Sequence, residues 1–234
     1  MEFGSAAFLL ALVQIIWVNI LLSGDNAVVI ALAARSLPPE QQKKAIVIGS
    51  AAAIVMRIIL TLVAAQLLQL PWLKLIGSLL LLYIGISLLL PEGEEDDGKQ
   101  TKSGMLAAVR TILIADLIMS LDNVIAVAAA AMGDTVLLVI GLGISIPLVI
   151  FGSSLLLKVI DRFPLIVWFG AALLGFIAGE LFVNDPALHA DVVEASMGIS
   201  HHGAEITAGV LGAIIVLIVG KFLISRQATA SQKS

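Results

Sequence analysis

Two stretches, NILLSGDN at residues 19–26 and DLIMSLDN at residues 116–123, set one polar pattern twice inside segments that are otherwise almost wholly apolar. A carboxylate is costly in such surroundings, so its recurrence among the same neighbours points to an internal repeat. An offset of 97 residues lays Asn19, Ser23, Asp25 and Asn26 on Asp116, Ser120, Asp122 and Asn123, with Ala31, Ala33 and Ala34 on Ala128, Ala130 and Ala131. Further along, an offset of 93 sets Pro71 on Pro164, Gly77 on Gly170, Tyr83 on Phe176 and Ile84 on Ile177. Between these anchors the register is loose, and Gly49 matches either Gly141 or Gly143.

The 234 residues are 60% hydrophobic and 13% charged, against roughly 45–50% and 25% in a soluble domain. The chain is therefore read as an integral membrane protein. It has no cysteine, hence no disulfide, thiolate metal site or cysteine nucleophile, and its net charge of −4 gives no reason to expect nucleic acid. The opening MEFGS (1–5) resembles a cloning remnant. The first apolar segment lacks a basic leader and carries Asn19 and Asp25, so it reads as a retained span.

Apolar runs fall at about 6–34, 45–70, 72–90, 105–131, 135–157, 163–182 and 205–224, each taken as a helix able to cross about 30 Å of hydrocarbon. With the N-terminus outside, 11 of the 13 basic residues fall on the cytoplasmic side, leaving Lys74 outside and Arg57 within a span. The expected location is the cell inner or plasma membrane, multi-pass, with the C-terminus cytoplasmic. The stretch 91–104, with five acidic residues, reads as a cytoplasmic linker between repeats at 6–90 and 105–182. An external loop at 183–204, holding Asp185, His189, Asp191, Glu194, His201 and His202, precedes a seventh helix at 205–224 and a polar tail at 225–234. Three helices per repeat is an odd number, so the two copies enter the membrane in opposite directions. The expected fold is an all-α membrane protein with seven transmembrane helices, a 3+3 inverted repeat plus one extra C-terminal helix, an architecture typical of secondary transporters.

At about 100° per residue, Asn19, Ser23 and Asn26 share one helix face, and Asp116, Ser120 and Asn123 share its counterpart. Asp25 and Asp122 lie about 100° beyond, and Gly24 could loosen the first helix enough to turn Asp25 inward. Facing each other, the motifs would offer three carboxylates, three amide oxygens and two hydroxyls. That oxygen-only set suits a hard divalent ion (Mg2+, Ca2+ or Mn2+) better than Zn or Cu. Arg57 has no charged equivalent in the fifth span, and an arginine at that depth should pair with a carboxylate. Three aspartates and one arginine leave −2, matched to one divalent cation and hostile to an anion. The plainer reading of each polar residue is interhelical hydrogen bonding; duplication of the whole quartet favours a site. Glu180 and Gln66 read as interfacial, and the glycines at 77, 85, 141, 143, 170, 175 and 179 as close-packing positions.

The segments GDNAVVIALAAR (24–35) and SLDNVIAVAAAA (120–131) resemble the paired signatures of the TerC family of integral membrane proteins, and the similarity runs from about residue 7 to 224. The resemblance implies a relative of the lysine-exporter superfamily, with manganese export among its activities, and acidic metal positions at Asp25, Asp116 and Asp122 beside Asn26 and Asn123. Asn19 opposite Asp116 departs from symmetry. The expected function is a divalent metal transporter, an Mn2+ exporter working by alternating access and coupled to protons if the clustered carboxylates take them up on the return step. The metal is substrate, and no organic cofactor is expected. The site comprises Asp25, Asp116, Asp122, Asn26, Asn123 and Asn19, supported by Ser23, Ser120 and Arg57. The alternative is a membrane-protein assembly or insertion factor without transport activity. An intramembrane aspartyl protease would need a close, differentiated aspartate pair, which the duplicated S-x-D-N pattern does not offer; the chain is read as no enzyme.

Overall fold

The computed structural model describes residues 6–21, 24–67, 70, 72–90, 100–131, 134–188 and 200–231. Eight α-helices follow in order: α1 (Ala6–Leu21), α2 (Gly24–Ala34), α3 (Pro39–Leu67), α4 (Leu73–Ser87), α5 (Gln100–Ala131), α6 (Thr135–Arg162), α7 (Leu165–Val183) and α8 (His201–Ser231), with a 3-10 turn at Pro186–Leu188. Among the described residues there is no strand. Five stretches are long and apolar enough to cross a membrane: Pro39–Val63, Gly104–Leu121, Thr135–Arg162, Leu165–Val183 and His201–Gln227. The expected first span is covered by two shorter apolar helices, α1 and α2, and the expected third span is helical only over the 15 residues of α4. At about 1.5 Å per residue, α4 reaches roughly 22 Å, short of a 30 Å core. Among the described residues, length alone therefore gives five spans where the hydropathy runs predict seven.

Local chemistry explains the helix ends. Pro39 occupies the first position of α3, where its missing N–H has no intrahelical partner to lose. Asp134 caps α6 by accepting the Val136 and Leu137 N–H groups at 3.0 and 3.1 Å, and Ser200 does the same for the Gly203 N–H of α8 at 3.3 Å. Helix α5 begins at Gln100, inside the expected linker, and α8 continues to Ser231, inside the expected polar tail. Residues 1–5, 91–99, 189–199 and 232–234, which include the remnant and most of the linker and external loop, lie outside the described residues.

The chain divides into two compact units that each draw on both sequence halves, residues 1–68 with 98–159 and residues 69–97 with 160–234. In the first, α5 packs against α3, α2 and α1, over a core that includes Ile15, Ile54, Val127 and Leu142. Two glycines set its closest approaches: a methyl group at Gly49 would stand 2.7 Å from Ile112 Cδ1, and one at Gly141 would stand 2.5 Å from Ile15 Cγ2. Leu60 and Val124 form a second buried contact between α3 and α5, while a methyl group at Gly152 of α6 would stand 4.0 Å from the Ala27 Cβ of α2.

In the second unit α7 packs against α8 and α4. Gly175 and Gly179 of α7 lie against Ala208, Gly209 and Gly212 of α8 so closely that a Cβ on Gly179 would collide with the Ala208 carbonyl. Small residues four apart on both helices give this backbone-to-backbone contact, the usual means of helix association where lipid removes the hydrophobic drive. Large apolar side chains such as Phe151 and Phe169, 70% and 69% exposed, point outward, as lipid-facing residues do.

Candidate functional site

The polar centre of the first unit forms between α3 and α5. Arg57 lies in the middle of α3 and is 2% exposed. Its Nε donates to Ser120 Oγ at 3.0 Å, and its Nη2 donates to Asp116 Oδ1 in a short charge-assisted contact. Ser120 Oγ also donates to Asp116 Oδ2 at 3.4 Å, closing a triangle whose three members are all buried. Asp116 and Ser120, four residues apart, occupy one face of α5, as helical spacing requires. On α3, Thr61 Oγ1 donates to the Arg57 carbonyl at 2.7 Å and is itself buried. The buried guanidinium is met here by the Asp116 carboxylate. Separating the two would cost about 3–5 kcal/mol by leaving a bare buried charge.

Helix α2 brings a second carboxylate. Asp25, in its first turn, is partly buried and accepts the Asn26 N–H at 2.8 Å. It lies within electrostatic reach of both Arg57 and Asp116. The Asn26 side chain is buried, and Asn123 on α5 is partly buried. Of the residues singled out in the sequence, the structure thus gathers Arg57, Asp116 and Ser120 by direct bonds and Asp25 by proximity. Ser23 lies outside the described residues, as do the side chains of Asn19 and Asp122, whose backbones belong to α1 and α5. Among the described residues no three His, Cys, Asp or Glu side chains form a metal-holding group.

Sequence reasoning missed two polar positions of α3, Ser50 and Thr61, that share the face of Arg57. Ser50, Arg57 and Thr61 are all buried and spaced seven and four apart, one stripe on one face; the signal was helical periodicity of polar residues in a span examined for its arginine alone. It also left Asp185 in a solvated loop. Asp185 is 3% exposed and accepts the Trp72 and Leu75 N–H groups, each at 2.9 Å, and the Ala187 N–H at 2.7 Å. It caps α4 from the end of α7 and holds Trp72 in the left-handed conformation at φ 71°. Burial raises the Asp185 carboxyl, but the N–H groups of Ala187, Leu75, Trp72 and Lys74 outweigh it and hold the group below its ordinary range. Nearby, Asn184 links His201 Nε2 and Glu205 Oε1, at 3.0 Å each.

Comparison with known proteins agrees with this architecture. The model of the integral membrane protein TerC family matches residues 4–228. The chain belongs to the TerC family. TerC relatives include a Bacillus subtilis (strain 168) protein described as uncharacterized membrane protein YjbE, 43% identical over 183 residues that cover 77% of this chain and 83% of that one. Another B. subtilis (strain 168) protein, described as uncharacterized membrane protein YkoY, is 29% identical over 240 residues, covering 92% of this chain and 74% of its own. No solved structure matches this TerC protein significantly. Family membership makes the protein an integral, multi-pass membrane protein embedded in a lipid bilayer.

Proposed function

We propose that this TerC protein is a divalent metal transporter that exports Mn2+ across the plasma membrane, its N-terminus outside and its C-terminus in the cytoplasm. The observation that carries the reading is the buried Asp116 carboxylate, bonded to Arg57 and Ser120 and with Asp25 in reach, inside an apolar helical unit. Ionisable groups at such depth are expensive, and in membrane proteins they mark ion pathways by default. An oxygen-only donor set favours Mn2+ and its hard neighbours.

The inverted repeat is supported by two contact pairs. Gly49 of the second span meets Ile112, and Gly141 of the fifth meets Ile15; the 97-residue offset carries Ile15 onto Ile112, and Gly49 onto Gly141 is an offset of 92. The same two offsets carry the Gly152–Ala27 contact onto Leu60–Val124. A pseudo-twofold relation of this kind gives two arrangements of similar energy, the basis of alternating access to one site by rocking of the repeats. Seven spans, with α1 and α2 together as the first and α4 as the third, complete the topology.

Flux into proteoliposomes tests the function. Saturable Mn2+ flux in the wild type, lost in folded Asp116→Asn and Asp25→Asn variants, is expected. A wild type that neither binds nor carries Mn2+ would replace this reading with the assembly role.

A further inference from the structure

The ion pair at the centre of the site also bears on how the carrier releases its cargo. Arg57 holds the Asp116 oxygen Oδ1 through Nη2 and the Ser120 hydroxyl through Nε, with 2% exposure. A divalent ion bound at Asp116 Oδ1 would need that oxygen at about 2.0–2.6 Å, in the space that the guanidinium now fills. The two cations therefore exclude each other, by volume and by charge. The repeat strengthens the link between Arg57 and Asp116. With the register fixed by Gly49 and Gly141, the counterpart of Arg57 is Val149, and the counterpart of Asp116 is Asn19. Neither member of the pair is present in the second half-site, so the arginine occurs where the carboxylate does.

We infer that Arg57 is a tethered cation that takes the ion's place on Asp116 whenever the site is empty. The proposal rests on the metal-transport reading. In the loaded state the ion displaces the guanidinium from Asp116. As the ion leaves, Arg57 returns, lowers the affinity at the moment of release and keeps the vacant carboxylate neutral. An uncompensated carboxylate would resist being carried through the low-dielectric interior during the return step; the guanidinium lowers that barrier by neutralising Asp116 without a second ion there. Arg57 is thus a determinant of affinity and of net, as opposed to exchange, transport.

The test compares wild type, Arg57→Gln and Arg57→Lys, each checked as monodisperse in detergent. It measures Mn2+ binding by titration and, in proteoliposomes, both net Mn2+ efflux and Mn2+ exchange with Mn2+ on both sides. Loss of a competing charge in a poorly screened site should tighten Mn2+ binding in Arg57→Gln by about tenfold or more. The ratio of net efflux to exchange should fall by a similar factor, because exchange needs no empty return. Unchanged or weaker binding in Arg57→Gln, or an unchanged ratio, overturns the inference. If Arg57→Gln aggregates, Arg57→Lys decides: its single ammonium cannot reproduce the two-point grip on Asp116 and Ser120, so tighter binding than wild type is expected, and equal or weaker binding overturns the role. A wild type without saturable Mn2+ binding fails the transport reading itself, and the inference about Arg57 falls with it.

Discussion

The α3–α5 contact and the α7–α8 contact join long apolar helices by opposite means. The first keeps a guanidinium, a carboxylate and a hydroxyl in its buried interior; the second brings Gly175, Gly179 and Gly212 to backbone contact. Backbone packing of the glycine kind gives helix association with nothing left unsatisfied. If adhesion were all that α3 and α5 required, the cheaper device was available in the same chain. The costly one persists where charge has a task, and the difference separates the scaffold from the site.

The largest effect expected is at Asp116. Asp116→Asn strands a buried guanidinium and should destabilise the protein by about 3–5 kcal/mol, read as thermal unfolding in detergent. Adding Arg57→Gln should recover part of that loss, because the double variant buries no unpaired charge. Additive losses in this cycle would reduce the pair to two independent side chains and dissolve the contrast with the glycine contact. Next in size is Gly179→Ala. Its methyl would collide with the Ala208 carbonyl, and backbone cannot step aside as a flexible side chain can, so a loss of about 1–3 kcal/mol follows. Mn2+ affinity should be unaffected by this change; a shift in affinity would show that the glycine contact is part of the site.

These two positions also mark what the sequence could disclose. The duplicated S-x-D-N pattern exposed the repeat, and the depth of Arg57 called for a carboxylate, because burying charge leaves few options. Which carboxylate it takes depends on the relative rotation of α3 and α5, and only coordinates supply that. The loose register between the second and fifth spans had the same origin: two glycines lie two residues apart on α6, and composition cannot tell them apart. Helical segment and hydropathy run part company where apolar residues continue past the helix, as at residues 88–90 beyond α4. Asp185 was invisible because the N–H groups of Trp72 and Leu75 that it accepts lie more than a hundred residues away, and backbone groups leave no mark in a sequence.

Asp185 gives the third prediction. Its carboxyl is held below the ordinary value, so the ionised form stabilises the fold. That contribution is complete above the unfolded carboxyl value of about 3.9 and disappears as pH falls through the lower folded value. Asp185→Asn should cost about 0.5–2 kcal/mol at neutral pH, the usual range for a lost cap. The gap between variant and wild type should stay constant from pH 8 to 5 and narrow in stronger acid. A gap that instead widens on acidification would mean the protonated group is the stabilising form. Like the ion pair this is a buried charge, but one satisfied by backbone, so Mn2+ transport should survive its loss.

The smallest effect is at Gly143, and it sharpens the comparison within a single helix. A methyl group at Gly143 meets nothing within 4 Å, whereas two residues earlier, at Gly141, it would stand 2.5 Å from Ile15 Cγ2. Alanine lowers the conformational entropy of the unfolded chain and favours helix, worth about 0.5–1 kcal/mol where space allows. Gly143→Ala should therefore be neutral to slightly stabilising, and Gly141→Ala destabilising. The symmetry argument demands this asymmetry, because Gly141 is the partner of Gly49, where the neighbour is Ile112 at 2.7 Å. Matching losses in Gly49→Ala and Gly141→Ala, with none in Gly143→Ala, would tie the fifth span to the second through contacts of the first unit. Equal losses at Gly141 and Gly143 would return the register to its open state and remove Val149 as the counterpart of Arg57.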